Sequence, residues 1–457
     1  MTKYIVLAVF ILILNFVHSF FLPSGGVYVD SLSYFGIASD LPKPETDLFP
    51  LGYPIALRGF YELFKDYFWA YKFLNTSMIL VIFLFSYIRK FYFKETILLF
   101  TGKTFLFVFF MAISESLFIF LFYFLIYFLY QILVRKTLRY KDCIFASLIL
   151  FGMFTVRYSG IYIYLSLLIF TAIFFFKNWD KQKLFGLITI VIISGLGITG
   201  YLLFNITEFG SLTGENLRGK PAEMLPVYVL RDLLGTANSI NPYIGLKPAS
   251  NSFLSLTFQC FILLIDIFVL IHFLKFFKKA KETNAYSFHM FLWVTAVCYA
   301  CCLIASGWFQ QIEEMNTRMM AAANVCIFFS FLILYFKTKN SDKRIFRIAC
   351  FFLAFITIYS LKNPTNYLDN KNQIESQMPK FANRKFLINN EREGAEIYTT
   401  YHIPIINKTF RYNHTNNQKG NLKQDLAGSI NPKIKWLKYD TVKDKSQVLY
   451  TSELILK

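Results

Sequence analysis

The chain has 457 residues, 56% of them hydrophobic and 19% aromatic, and only 16% charged, against about 25% charged in a typical soluble protein. Lys and Arg outnumber Asp and Glu by 47 to 28, for a net charge of +19. No helix-turn-helix, zinc-finger or aromatic-basic motif accompanies this excess, so a nucleic-acid partner is excluded; cytoplasmic loops of membrane proteins collect such charge.

Apolar runs of roughly 17–25 residues recur along the chain, the length that crosses a hydrocarbon layer about 30 Å thick. The expected fold class is therefore an all-α polytopic membrane protein with about 11 transmembrane helices. Eleven spans can be drawn, at about 4–22, 67–88, 96–113, 115–134, 142–157, 160–176, 184–205, 253–274, 287–306, 319–336 and 345–360. The first follows Lys3, as in a signal peptide. Its apolar core is long and no A-x-A cleavage site follows, so it reads as an uncleaved span. Seven cysteines all lie in apolar stretches, which argues against a disulfide framework. Cys298-x-x-Cys301-Cys302 has a metal-like spacing without a second ligand pair and reads as buried thiols.

Loop charge alternates. Lys3, Arg89/Lys90/Lys94, Arg135/Lys136/Arg139/Lys141, Lys177/Lys181/Lys183, Lys275/Lys278/Lys279/Lys281 and Lys337/Lys339/Lys343/Arg344 mark one side. Asp30, Asp40, Glu45, Asp47, Glu115, Glu208, Glu215, Glu223, Asp232, Glu313 and Glu314 mark the other. The positive-inside rule places the first set, with the N-terminus, in the cytoplasm. Residues 1–360 are then a transmembrane domain with two long outward loops, about 23–66 and 206–252. Residues 361–457 form an exported C-terminal tail or small domain. Within it EIYTTYHIPIINKTF and SQVLYTSELIL alternate apolar and polar residues in places, as β-strands do.

The first outward loop opens with YVDSLSYFGIA. Asp30, Tyr34 and Ala38 are four residues apart and share one face of a short helix. The segment after Pro54 mixes three- and four-residue apolar spacing with Arg58, Glu62 and Lys65, the pattern of an amphipathic helix at the membrane interface. The loop is thus expected to be structured, holding a carboxylate at the outer surface. Asp30 has a second reading, as a cap in front of Ser31, Leu32 and Ser33.

Other short motifs follow in order: Ser114-Glu115-Ser116-Leu117-Phe118, Val156-Arg157-Tyr158-Ser159-Gly160, Phe209-Gly210-Ser211-Leu212-Thr213-Gly214 and Asn316-Thr317-Arg318. D-S-x-x-Y-x-x-x-A followed by P-x-G-Y-P, with these four in this order, resembles the GT-C fold glycosyltransferases. That superfamily includes dolichyl-phosphate-mannose protein mannosyltransferases and lipid A aminoarabinose transferases. The resemblance covers roughly residues 1–336. It implies a transferase that takes a sugar from polyprenyl phosphate, with a loop Asp acting at the acceptor. Two departures stand out: Ser31 follows Asp30 where many members carry a second acid, and no Pro follows Arg318.

The chemistry suits these residues. A carboxylate beside an acceptor hydroxyl can take its proton, which makes Asp30 the candidate general base. Cations at the outer interface would hold the leaving phosphate, and Arg157, Arg318, Arg218 and Lys220 are the candidates. For each, ordinary interfacial snorkelling is the competing reading. Glu115 could orient an arginine, coordinate a divalent metal with Asp30, or serve in a simple ion pair. Tyr34, Tyr53 and Tyr158 are candidates to stack on a sugar. The expected partners are a polyprenyl-phosphate sugar donor, membrane lipids, and a lipid, glycan or protein acceptor. The expected location is a bacterial inner membrane. The rival readings are a transporter or flippase of lipid-linked glycans, a glycan polymerase or ligase, and an inactive scaffold. Asp266 and Lys103, the charges inside spans, are what a transporter would use.

Overall fold

In a computed structural model of the chain the described residues are 1–360 except 23–24, 45, 136, 178–179, 216–225, 238–239, 245–251, 311, 313–314 and 340, together with 385–388, 411–414 and 448–449. Within 1–360 the regular elements of the described residues are helices. In chain order they form α1 (Thr2–His18), α2 (Val29–Asp40), α3 (Gly52–Phe64), α4 (Tyr67–Ile88), α5 (Phe93–Leu99), α6 (Lys103–Phe110), α7 (Ser114–Val134) and α8 (Tyr140–Val156). Then come α9 (Gly160–Phe176), α10 (Lys181–Phe209), α11 (Pro226–Ala237), α12 (Phe253–Lys279), α13 (Tyr286–Phe309), α14 (Ala321–Thr338) and α15 (Lys343–Ser360).

Among the described residues seven stretches are long and apolar enough to cross a membrane: Thr2–Phe21, Tyr67–Ile88, Ser114–Val134, Lys181–Phe209, Phe253–Glu282, Tyr286–Phe309 and Ala321–Thr338. The chain is a polytopic helical membrane protein. Helix α12 shows how such a surface is built. Phe253, Leu254, Phe258, Phe261, Leu264 and Phe268 are exposed, whereas Gln259, Ile262, Asp266 and Phe273 are buried. The polar Gln259 and Asp266 turn inward, while large apolar side chains face outward, as a hydrocarbon solvent allows.

The stretch 96–113, expected as one span, is instead two short helices. Helix α5 ends at Leu99 and α6 starts at Lys103. The Thr101 hydroxyl donates to the Leu98 carbonyl at 2.7 Å, and the Lys103 N–H leaves the helix for the Pro242 carbonyl at 2.8 Å. Gly102 makes that approach feasible, since an added Cβ would stand 3.2 Å from the Pro242 oxygen.

Both expected helices of the first outward loop form. Helix α3 begins at Gly52, which puts Pro54 in its first turn, where a missing N–H is harmless. Tyr53, Pro54 and Leu57 are buried on one side; on the other Arg58 pairs with Glu62 at 2.7 Å.

By compactness the chain divides into two units. One contains residues 1–11, 78–108 and 117–356; the other contains 12–77, 109–116 and 357–457. In the tail, β1 (Lys385–Ile388) pairs in parallel with β2 (Arg411–His414) and with β3 (Val448–Leu449), in the order β2-β1-β3. Strand β3 falls within SQVLYTSELIL. EIYTTYHIPIINKTF lies outside the described residues.

In the first unit Asp342 ties down the start of α1. It accepts from Lys3 Nζ and from the Tyr4 hydroxyl, both at 2.7 Å. The hydrogen bond from Lys3 leads in lowering its carboxyl below the ordinary value, against a partial opposing effect of burial. A depressed carboxylate stabilises the fold above its unfolded-state pKa, and that stability disappears as pH falls through the folded-state value. Asp342→Asn should therefore cost about 1 kcal/mol at pH 7 and less at pH 3. Thermal melts of the detergent-solubilised protein at the two pH values check this.

Candidate functional site

The second unit contains an unusual piece of backbone. Between α6 and α7 the chain leaves the helical path at 111–113, in surroundings where nearly every side chain is buried. Carbonyls freed in this way need donors, because no water replaces the lost helical bonds. Two amides supply them. Asn75 Nδ2 donates to the carbonyls of Phe109 at 2.9 Å and Met111 at 2.8 Å. Asn15 Nδ2 also donates to Phe109 O, at 3.0 Å, and Asn15 Oδ1 accepts from Thr76 at 3.2 Å. The Ala112 N–H goes to the Gly26 carbonyl at 2.9 Å. Gly26 has φ +81, and a Cβ there would stand 2.3 Å from the Phe110 oxygen, so only glycine fits.

This pinned segment delivers Ser114 and Glu115 to the first turn of α7. The Ser114 hydroxyl and the Tyr34 hydroxyl are hydrogen-bonded at 2.7 Å. Residues 80 positions apart, from two separate sequence motifs, thus meet directly. Tyr34 also packs edge-on to Tyr53, with centroids 5.0 Å apart. Tyr53 is fully buried. Burial above all, then Tyr34, Tyr71 and Glu115, push its phenol well above the ordinary value, while the Ser116 hydroxyl pulls the other way. The Tyr53 phenol therefore stays a neutral donor at any physiological pH. Glu115, 3% exposed, is near enough to act on it.

Asp30 lies one turn before Tyr34 on α2 and is half-buried. It is not the cap of that helix. The N-cap is Tyr28, whose N–H donates to the Ser31 hydroxyl at 2.9 Å. Capping thus falls to Ser31, the residue that departs from the acid pair of the resembled family. Among the described residues no three His, Cys, Asp or Glu side chains gather into a cation-binding group.

Arg157 and Arg318 belong to the first unit, whereas Asp30, Tyr34, Tyr53 and Glu115 belong to the second. Arg157 is the extended residue that ends α8, and its Nε donates to the Ser159 hydroxyl at 3.4 Å. Gly160 turns the chain into α9 so tightly that a Cβ would lie 2.7 Å from the backbone of Phe154. Tyr158 is engaged structurally. Its hydroxyl accepts from Asn205 at 3.0 Å, and Asn205 also donates to the Leu212 carbonyl at 2.7 Å.

That carbonyl belongs to the turn after α10, where Gly210 (φ +74) and Gly214 (φ +69) take left-handed conformations. The Glu215 carboxylate accepts from the N–H groups of Leu212 and Thr213, at 3.0 and 2.7 Å. Burial raises the Glu215 carboxyl, but these bonds outweigh it and leave it below its ordinary value. Arg318 is half-buried in the turn before α14. Asn316 organises that turn by accepting from the Met319 N–H at 3.1 Å. Arg218 and Lys220 lie outside the described residues.

Sequence reasoning passed over Asn15 and Asn75. Their signal was there: each is a lone amide inside an apolar run, in LILNFV and FLNTSM. Lys72, inside the span of α4, went unremarked for the same reason.

Asn75→Leu keeps the volume but removes a donor shared by two buried carbonyls. The loss should be about 2 kcal/mol or more, since each buried group left unsatisfied costs about 1–3 kcal/mol. A lowered apparent melting temperature in detergent, together with weakened protection of the 109–116 amides in hydrogen exchange, checks it.

The chain was compared with models of known protein families and with curated proteins, and it matches none of them.

Proposed function

We propose that this chain is an integral-membrane glycosyltransferase that moves one sugar from polyprenyl phosphate to an acceptor outside the cytoplasm. The observation that carries this reading is the 2.7 Å hydrogen bond between Tyr34 and Ser114. It joins the D-S-x-x-Y and S-E-x-L-F motifs on which the resemblance to GT-C enzymes rests. It also sets a half-buried Asp30 and a buried Glu115 in one compact unit.

In this reading Asp30 takes the proton of an acceptor hydroxyl as its oxygen attacks the anomeric carbon. The bond from that carbon to the phosphate oxygen breaks, and polyprenyl phosphate leaves. The charge that develops on the leaving oxygen calls for a cation. Glu115 orients the neighbouring hydroxyls, and the neutral Tyr53 phenol donates to a sugar oxygen. The acceptor is a lipid, a cell-wall glycan or a protein.

The topology of this reading has about eleven crossings, with α5 and α6 together forming one broken crossing and α8, α9 and α15 three shorter ones. The basic loops and the N-terminus face the cytoplasm of a bacterial cell. Residues 361–457 are exported, and α3 lies in the outer interface. A transporter of lipid-linked glycans is the second reading. It is favoured by one observation, the fully buried Asp266 in the middle of α12. Flipping of a labelled lipid-linked glycan by the purified protein in vesicles would distinguish it.

Asp30→Asn should leave expression and melting intact, because Ser31 does the capping. It should lower sugar transfer by about 100-fold or more, the usual scale of a lost general base. Near wild-type transfer by that variant, measured with a labelled polyprenyl-phosphate sugar in membranes, would contradict the assignment.

Arg157 and Arg318 give a separate expectation. Replacing either with Ala should raise the donor concentration for half-maximal rate by about 10-fold or more, as expected for a lost charge-assisted hydrogen bond. Lys should do so only partly, since it keeps the charge but not the planar fork. A donor dependence unchanged in both Ala variants would point to snorkelling.

A further inference from the structure

Lys72 stands in the second turn of α4 and is 2% exposed. Among the described residues its ammonium has no hydrogen-bond partner. What surrounds it is aromatic: Nζ lies 4.5 Å from the ring centre of Phe20 and 5.5 Å from those of Phe16 and Phe68. Ring faces attract a cation, but they offer no lone pairs to its three N–H bonds. His18 is stacked on Phe110, with ring centres 3.9 Å apart. Its Nδ1 is likewise buried without a hydrogen-bond partner. Two buried nitrogen groups of the second unit, one on α1 and one on α4, thus lack hydrogen-bond partners among the described residues.

A buried cation is costly unless an anion completes it. The position restricts which anion. Lys72 is five residues past the start of α4, about 8 Å along the helix axis. That is about the thickness of one headgroup layer. An anion there is carried by a lipid, and the ring-lined surroundings suit the first apolar units of its chain.

We infer that Lys72 and His18 form a binding site for a lipid-borne phosphate group, its oxygens accepting from Lys72 Nζ and the His18 ring and its chain lying against Phe16, Phe20 and Phe68. That the lipid is a polyprenyl phosphate rests on the transferase reading. The phosphate site itself does not.

The test uses the full-length protein purified in detergent, with binding followed by native mass spectrometry. Three probes are titrated: a long-chain polyprenyl phosphate, phosphatidylglycerol and inorganic phosphate. Lys72→Gln should weaken lipid-phosphate binding at least about tenfold, Lys72→Arg much less, and His18→Gln to an intermediate degree. Preference for the polyprenyl phosphate identifies the substrate lipid. Equal binding of phosphatidylglycerol identifies a bilayer lipid in the same site. Binding of either lipid unaffected by Lys72→Gln overturns the inference, as does Lys72-dependent binding of inorganic phosphate alone. If the Gln variant does not fold, photo-crosslinking of the wild type decides. A polyprenyl phosphate carrying a diazirine in its first isoprene unit should label residues within 16–20 or 68–72, and labelling confined to other segments refutes the site. Lys72-dependent binding in a protein that transfers no sugar would retire the transferase reading and leave this site standing. Sugar transfer with lipid binding unchanged in Lys72→Gln would do the reverse.

Discussion

The second unit depends on satisfying the backbone where α6 gives way to α7. A helix in an apolar environment satisfies its own carbonyls; a break in one does not, and water cannot make up the difference. At 109–113 the freed groups are taken by Asn75, Asn15 and the Gly26 carbonyl. Each partner comes from a different stretch of chain, so satisfying one short break draws together α1, the turn at Gly26, α4 and the start of α7. The same break places Ser114 within 2.7 Å of Tyr34 and buries Glu115 beside Tyr53.

This dependence explains why the candidate chemistry gathers where it does. Irregular backbone in a membrane protein is tolerated where protein encloses it or where it lines a site. Here the groups that bond the break are the Asn15 and Asn75 amides and the Gly26 carbonyl, set among buried apolar side chains. Polar groups so arranged are oriented before any substrate arrives, which is what positioning a hydroxyl against a carboxylate requires. Division of labour on α2 fits the same picture. Ser31 satisfies the helix start through Tyr28, and Tyr34 anchors the helix to α7.

Much of this was legible in the sequence because it rests on local rules. The four-residue spacing of Asp30, Tyr34 and Ala38 foretold α2, and the mixed spacing after Pro54 foretold α3, since helical period and proline placement act within a turn or two. The cap of α2 was misassigned in one of the two readings of Asp30. Asp and Ser both cap well, and only the backbone path decides which of two neighbours does so. The broken stretch 96–113 could not be read locally. Its hydropathy is that of a span, and what divides it is the Pro242 carbonyl, remote in sequence, capturing the Lys103 N–H. Asn15, Asn75 and Lys72 were visible as interruptions of apolar runs. Their meaning depended on which carbonyls or rings faced them, a matter of tertiary contact. The Tyr158 hydroxyl accepts from Asn205, which also holds the turn after α10, a link between distant segments that no local pattern announces.

The central claim is that the α2–α7 cluster is where a lipid-linked sugar reacts. The most direct test is a structure determined with a non-transferable polyprenyl-phosphate sugar bound to the full-length protein. The account predicts the sugar ring against the first turns of α2 and α7, with Asp30 facing the space left for an acceptor hydroxyl and Glu115 within one hydrogen-bonded neighbour of the sugar. A ligand lying instead beside Asp266 of α12, with the α2–α7 cluster unchanged and out of contact, would contradict it.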